Sequence, residues 1–269
     1  MAGTLYLGRN KVCPAILVGG GYPEFASYEV NDGVASKRSG ELKGDEFKDI
    51  TSIADSCWYY KFYNCSDMTG TVNLSNLKSI GSSGLDHCFY GSGITGVDFS
   101  SLDTLGSGAL SYSFSNCNSL TSVSFPALKT LESSRMNYAF TQCTGLLTVD
   151  FPALETIAGG FYMTFQYCHN LQTATFPKLS MINGQSFYLA FGVCEKMTSV
   201  YFNSLTTQSF SDSYALARLF SNATASDVDT LTVHFPSNIE SVVSTLAGYP
   251  NFGGPSNKVV LAFDLPATS

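Results

Sequence analysis

Ala139-Phe140-Thr141-Gln142-Cys143-Thr144-Gly145-Leu146-Leu147-Thr148-Val149-Asp150-Phe151-Pro152 is the stretch that decides the fold. Its first part sets an aromatic at Phe140 and a small residue three places on, at Cys143. Its second part, Val149-Asp150-Phe151, alternates apolar, polar and apolar residues and then meets a proline. The same order recurs outward in both directions. The aromatic anchors are Phe62, Phe89, Phe114, Phe140, Phe165, Phe191 and Phe220, at spacings of 27, 25, 26, 25, 26 and 29 residues. Three places after them stand Cys65, Ser92, Cys117, Cys143, Cys168, Cys194 and Ala223. Four places before them stand Trp58, Leu85, Leu110, Met136, Phe161, Phe187 and Leu216. Apolar or small residues at −4, 0 and +3 fit one face of a helix of about two turns. The sequence therefore predicts a short helix in each unit.

The second half of each unit predicts a very short strand. Val123-Ser124-Phe125-Pro126, Val149-Asp150-Phe151-Pro152 and Ala174-Thr175-Phe176-Pro177 show it most clearly. Alternation marks a strand, and a proline, lacking a ladder donor, ends it. One such unit cannot bury its own apolar side. Seven stacked units create a continuous core of Phe, Leu, Val and Cys. Two units depart from the pattern. The sixth has Asn203 where proline is expected and Gln208 in place of the final apolar residue. The last has an insertion before Val233-His234-Phe235-Pro236.

Across residues 47–236 this pattern resembles the BspA-like class of leucine-rich repeats, with its A-F-x-x-C-x-x-L-x-x-V-x-x-P consensus, which Ala139 to Pro152 follows closely. The expected fold is an α/β repeat: a right-handed leucine-rich-repeat solenoid with short parallel strands on one face and short helices on the other. The expected organisation is an N-terminal cap or attachment segment over 1–45, the solenoid over 46–236 and a C-terminal cap over 237–269. The opening Leu5-Tyr6-Leu7-Gly8, Lys11-Val12 and Pro14 resemble a short element at the start of tail and structural proteins of phages of Gram-positive bacteria. That resemblance implies an attachment role for Leu5, Tyr6 and Leu7, with other virion or tail proteins as partners, a virion location and a homotrimer. The same residues also suit a plain N-terminal cap strand.

Composition narrows the function. The 269 residues carry a formal net charge of −7, and only 13% are charged, about half the usual ~25%. A nucleic-acid partner would need clustered Lys and Arg. No apolar run approaches the roughly 20 residues of a membrane span. No basic segment followed by a long apolar stretch marks a secretion signal at the start. His87, His169 and His234 are scattered, no C-x-x-C pair occurs, and no cofactor or metal site is expected. Catalysis is not expected either. Five of the eight Cys share one repeat position, where Ser92 and Ala223 also stand. The slot asks for a small buried side chain, and free Cys serves as one. Neighbouring repeats lie roughly 5 Å apart, so a ladder of disulfides is also geometrically open.

The strand triplets supply the candidate site. Their middle residues point outward as one row: Asn73, Asp98, Ser124, Asp150, Thr175, Tyr201 and His234. A rigid row of hydroxyl and carboxylate groups suits hydrogen bonding to a glycan or a peptide backbone, and solenoids bind along such faces. The distinctive end is Thr175, Tyr201 and His234. A second candidate is the tyrosine set Tyr59, Tyr60, Tyr112, Tyr138, Tyr162 and Tyr188 just before the anchors. These either contact ligand or stack between units. The expected function is a tail-fibre or distal tail protein that recognises a host-surface glycan or protein. The alternatives are a bacterial surface or secreted adhesin of the BspA-like kind and an intracellular scaffold.

Overall fold

The computed structural model describes residues 42, 47–132, 134–221, 230–249, 252–254 and 258–268, together with the backbone of short strands between 5 and 41. The chain winds as a solenoid whose regular coils, 25 to 27 residues long, cross two parallel strand ladders. The first ladder takes the triplets predicted from sequence. Thr71–Asn73 pairs with Gly96–Asp98. Ser122–Ser124, Thr148–Asp150, Thr173–Phe176, Ser199–Phe202, Leu231–Pro236 and Val259–Leu265 follow as one parallel sheet. The Thr121 N–H donates to the Thr95 carbonyl between these two runs. The second ladder comprises Ile50–Ile53, Ser79–Ile80 and Thr104–Leu105, then Thr130–Glu132, Thr156–Ala158 and Met181–Asn183. Ile16–Leu17 lies antiparallel on Ile50–Ile53 and covers that edge.

Among the described residues, the expected helices are absent from the repeats. In their place runs a ribbon of tight turns. Within the first coil, N–H groups of Cys57, Lys61 and Cys65 donate to the carbonyls of Ala54, Trp58 and Phe62 three places back. The alternate N–H groups of Ser56, Trp58, Tyr60, Phe62 and Asn64 donate to Ser82, Gly84, Asp86, Cys88 and Tyr90 of the next coil at 2.7–3.1 Å. Every fourth residue takes a positive φ, as at Ser56, Tyr60 and Asn64 (53°, 57° and 55°). This four-residue rhythm puts the same −4, 0 and +3 positions inward as a helix does, so the periodicity alone does not separate the two.

Spacing does separate them. Adjacent strands sit about 4.8 Å apart, whereas packed helices need roughly 8–10 Å. Two ladders per coil fix the short repeat, and one helix per coil does not fit within it. A left-handed residue costs on the order of 1–2 kcal/mol for a non-glycine side chain. The bonds between coils and the packing of the core offset that cost.

The core lies between ladders and ribbon as two files of stacked phenylalanines. Phe62, Phe89, Phe114, Phe140, Phe165, Phe191 and Phe220 stack at 5.2–6.4 Å between ring centroids. Phe99, Phe125, Phe151, Phe176, Phe202, Phe235 and Phe263 form the second file at 5.2–5.6 Å. The repeat cysteines are buried and free, so no disulfide ladder exists among the described residues. Four of the five thiols reach the carbonyl of an anchor phenylalanine one coil back: Cys117 to Phe89, Cys143 to Phe114, Cys168 to Phe140 and Cys194 to Phe165, at 2.9–3.2 Å. The slot thus favours a small side chain that can also donate, which Ser92 meets as well.

The irregular sixth unit keeps its ladder by a shift. Gln208 is exposed, and Phe210 instead bridges in parallel to Ile182. Beyond the repeats, Ile239, Val243 and Leu246 bury against the last coil around a helix of four residues, Glu240–Val243.

Candidate functional site

The strand ladder brings the outward row into register. Asn73 stands beside Asp98. Ser124, Asp150, Thr175, Tyr201 and His234 stand beside one another in that order, and Ala262 follows His234. All seven are half-buried. Their side chains nevertheless do different things. The Asn73 Oδ1 accepts the Ser75 N–H at 3.1 Å, and the Asp98 Oδ1 accepts the Ser100 N–H at 2.9 Å and the Ser100 hydroxyl. These two carboxamide and carboxylate groups close the turn after their own strands. That half of the row is occupied with local structure.

The other half forms a connected surface. The Thr175 hydroxyl donates to the Asp150 carboxylate. The Tyr201 and His234 rings lie 4.4 Å apart and 6° from parallel. His234 Nδ1 lies 3.0 Å from both carboxylate oxygens of Asp264, on the final strand. A flat phenol–imidazole platform is therefore edged by the Asp264 carboxylate at one end and by Thr175, bonded to Asp150, at the other. Such a surface offers hydroxyl and carboxylate acceptors together with an aromatic face. Among the described residues no cluster of His, Cys, Asp or Glu could hold a metal ion.

The pattern of the BspA-type leucine-rich repeat region matches residues 46–156 and 86–217, in six copies. The chain belongs to the BspA-type leucine-rich repeat family. Among solved structures, it is similar to a leucine-rich cell surface protein from Faecalibacterium prausnitzii A2-165, at 11% identity and a TM-score of 0.27, over 74% of this chain and 82% of that one. It is also similar to a leucine-rich repeat protein from Bacteroides ovatus ATCC 8483, at 13% identity and a TM-score of 0.16, over 80% of this chain and 84% of that one. No curated protein matches the chain.

This BspA-type solenoid carries a second aromatic feature, on the turn ribbon. Tyr60, His87, Tyr112 and Tyr138 stack face to face at 4.5–4.6 Å, all with positive φ. Tyr162 meets Tyr138 edge-on at 5.5 Å, and Tyr188 stacks on Tyr162 at 5.2 Å. Burial raises the pKa of the Tyr60, Tyr112 and Tyr138 phenols. The tyrosines thus stack between coils, the second of the two roles read from sequence. Tyr59 stands beside the file as an exposed ring.

Two residues of these surfaces escape the repeat pattern. Asp264 lies thirty places beyond His234 in a strand outside the repeats. His87 fills a tyrosine position of the ribbon file. The attachment role expected of Leu5, Tyr6 and Leu7 falls on side chains outside the described residues. Their backbone forms a strand antiparallel to Lys11–Cys13.

Proposed function

We propose that the chain is a non-enzymatic surface-recognition protein, a BspA-type adhesin of the bacterial surface that presents its strand ladder to a glycan or protein. The observation that carries this reading is the connected surface Asp150–Thr175–Tyr201–His234–Asp264. It is rigid because each member sits on a strand bonded on both sides or, at Asp264, on the last strand of the sheet. Rigid amphipathic aromatics lose little freedom on binding. The face is open, and its carboxylates are engaged by neighbours of the same ladder, which suits contact with a ligand better than proton transfer. Family membership supports the surface role over the whole repeat array. The virion reading, with tail proteins as partners and a homotrimer, rests on the short N-terminal resemblance alone.

Binding of the purified chain to intact host cells tests the site. The double variant Tyr201→Ala with His234→Ala should lose at least tenfold in binding while its thermal transition stays in place. Unchanged binding discards the strand-face site. Immunogold labelling separates the locations: label on cell envelopes agrees with the adhesin, and label at phage tail tips replaces it with the virion protein.

A further inference from the structure

We propose that the C-terminal end of the turn ribbon carries a separate binding site, a groove that takes a carboxylated sugar such as a uronic or sialic acid residue. The groove holds about 450 Å³, within the rough 300–1,000 Å³ of small-molecule sites, and Gln185, Tyr188, Tyr214 and Arg218 line it. It lies on the ribbon and the segment that follows the repeats, away from the strand row, so it succeeds or fails independently of that surface.

The ribbon delivers an unused donor to this place. Two residues before each anchor phenylalanine, the backbone N–H donates along the solenoid axis to the next coil. Tyr60 donates to Asp86, His87 to Ser111, Tyr112 to Asn137, Tyr138 to Tyr162, Met163 to Tyr188 and Leu189 to Arg218. Arg218 holds the same position in the last coil, and among the described residues its own N–H meets no acceptor. The row of axial donors ends at the groove.

The Arg218 side chain adds charge there. Its Nη1 donates to the Tyr188 hydroxyl at 2.9 Å, and its guanidinium carbon lies 5.6 Å from the centre of that ring. The phenol holds the fork without neutralising it, and among the described residues no carboxylate lies within 4.0 Å of it. In a chain of net charge −7 this is a local cationic spot. A planar guanidinium with no carboxylate partner among the described residues matches the two oxygens of a carboxylate.

The walls say what carries that carboxylate. Tyr214 is 54% exposed and gives a flat aromatic surface tipped by a hydroxyl, whereas the Tyr188 ring is engaged by Tyr162 and Arg218. The Gln185 amide adds a donor and an acceptor. Among the described residues, the rest of the lining is Ala217, Ala247, Gly248 and Gly253, which form no deep aliphatic pocket for a peptide side chain. Gly253 has a φ of +84°, and a Cβ there would stand 2.2 Å from the Ser221 hydroxyl, so this wall stays bare. One open aromatic wall, polar partners and one carboxylate receptor fit a pyranose acid.

Isothermal titration calorimetry on the full chain tests the site with trigalacturonic acid and 3′-sialyllactose. Lactose serves as the neutral control, and a short peptide with a free C-terminal carboxylate as the competing ligand class. At least one acidic sugar should bind at least tenfold more tightly than lactose. Arg218→Gln and Tyr214→Ala should each weaken that binding at least tenfold with the thermal transition unmoved. Equal binding of lactose, no binding of either acid, binding of the peptide in place of the sugars, or an unaffected Arg218→Gln variant would each overturn the proposal. If Arg218→Gln does not fold, Tyr214→Ala alters only an exposed ring and decides alone.

Discussion

Cys143 is the position at which the repeat register can be tested most sharply. The residue is fully buried. Its thiol donates to the Phe114 carbonyl at 2.9 Å, and the same carbonyl also accepts the Cys117 N–H at 3.1 Å. Cys143→Ser keeps the donor and shrinks the side chain slightly, a change of about 1 kcal/mol at the level of one net hydrogen bond. Cys143→Ala removes the donor but leaves Phe114 its second partner, so the loss is mainly packing, about 1–2 kcal/mol. Cys143→Arg is different in kind. The long charged side chain enters a stack whose neighbouring coils are about 4.8 Å apart. Burial of its charge costs several kcal/mol, and a native domain has only about 5–15 kcal/mol in total. Urea denaturation under reducing conditions, followed by far-ultraviolet circular dichroism, should give cooperative transitions for the serine and alanine variants, shifted by the stated amounts. The arginine variant should aggregate or show no folded baseline. An arginine variant that unfolds at the wild-type midpoint would mean that the column does not face the core, and the register would be wrong.

Two further outcomes follow from the same interior. Burial holds the thiols of Cys88, Cys143, Cys168 and Cys194 protonated far above their ordinary range and pushes Cys117 up to about 12. Above a pH of about 9 the unfolded chain releases thiol protons that the folded chain retains, so stability falls as pH rises, by ~1.4 kcal/mol per pH unit for each thiol; denaturation at pH 8, 9 and 10 measures the slope, and a flat profile contradicts the buried column. Gly145→Ala should destabilise by about 2 kcal/mol or more, within the range of severe packing mutations, because a Cβ there would stand 2.3 Å from the Asn118 carbonyl of the preceding coil; a thermal transition unchanged from wild type would refute that close approach.

The parts of the fold that repeat were legible in sequence, and the parts that depend on distance between coils were not. The alternation at Val149, Asp150 and Phe151 identified the first ladder, and its outward residues fell into the register observed from Ser124 to His234. Residues such as Phe161, Phe165 and Cys168 identified an inward face but not its backbone, since a four-residue turn rhythm and a helix place them alike. The second ladder supplied the missing constraint. It is built from pairs such as Ser79–Ile80, too short to stand out as strands. Of the candidate site, Tyr201 and His234 were legible as neighbours, whereas the diversion of Asn73 and Asp98 into turns required the positions of Ser75 and Ser100. Asp264 escaped because no repeat leads to it.

The alternation of bonds in the turn ribbon has a mechanical consequence. Each coil is held by rows of bonds to the coil before it and the coil after it, and to little else. Tension applied at the C-terminal end therefore loads the terminal row first and peels the stack one coil at a time. A released coil of 25 residues pays out roughly 85 Å of extended chain, while the coils behind it keep their shape. The repeat is thus a series of similar extensions placed in line with the load.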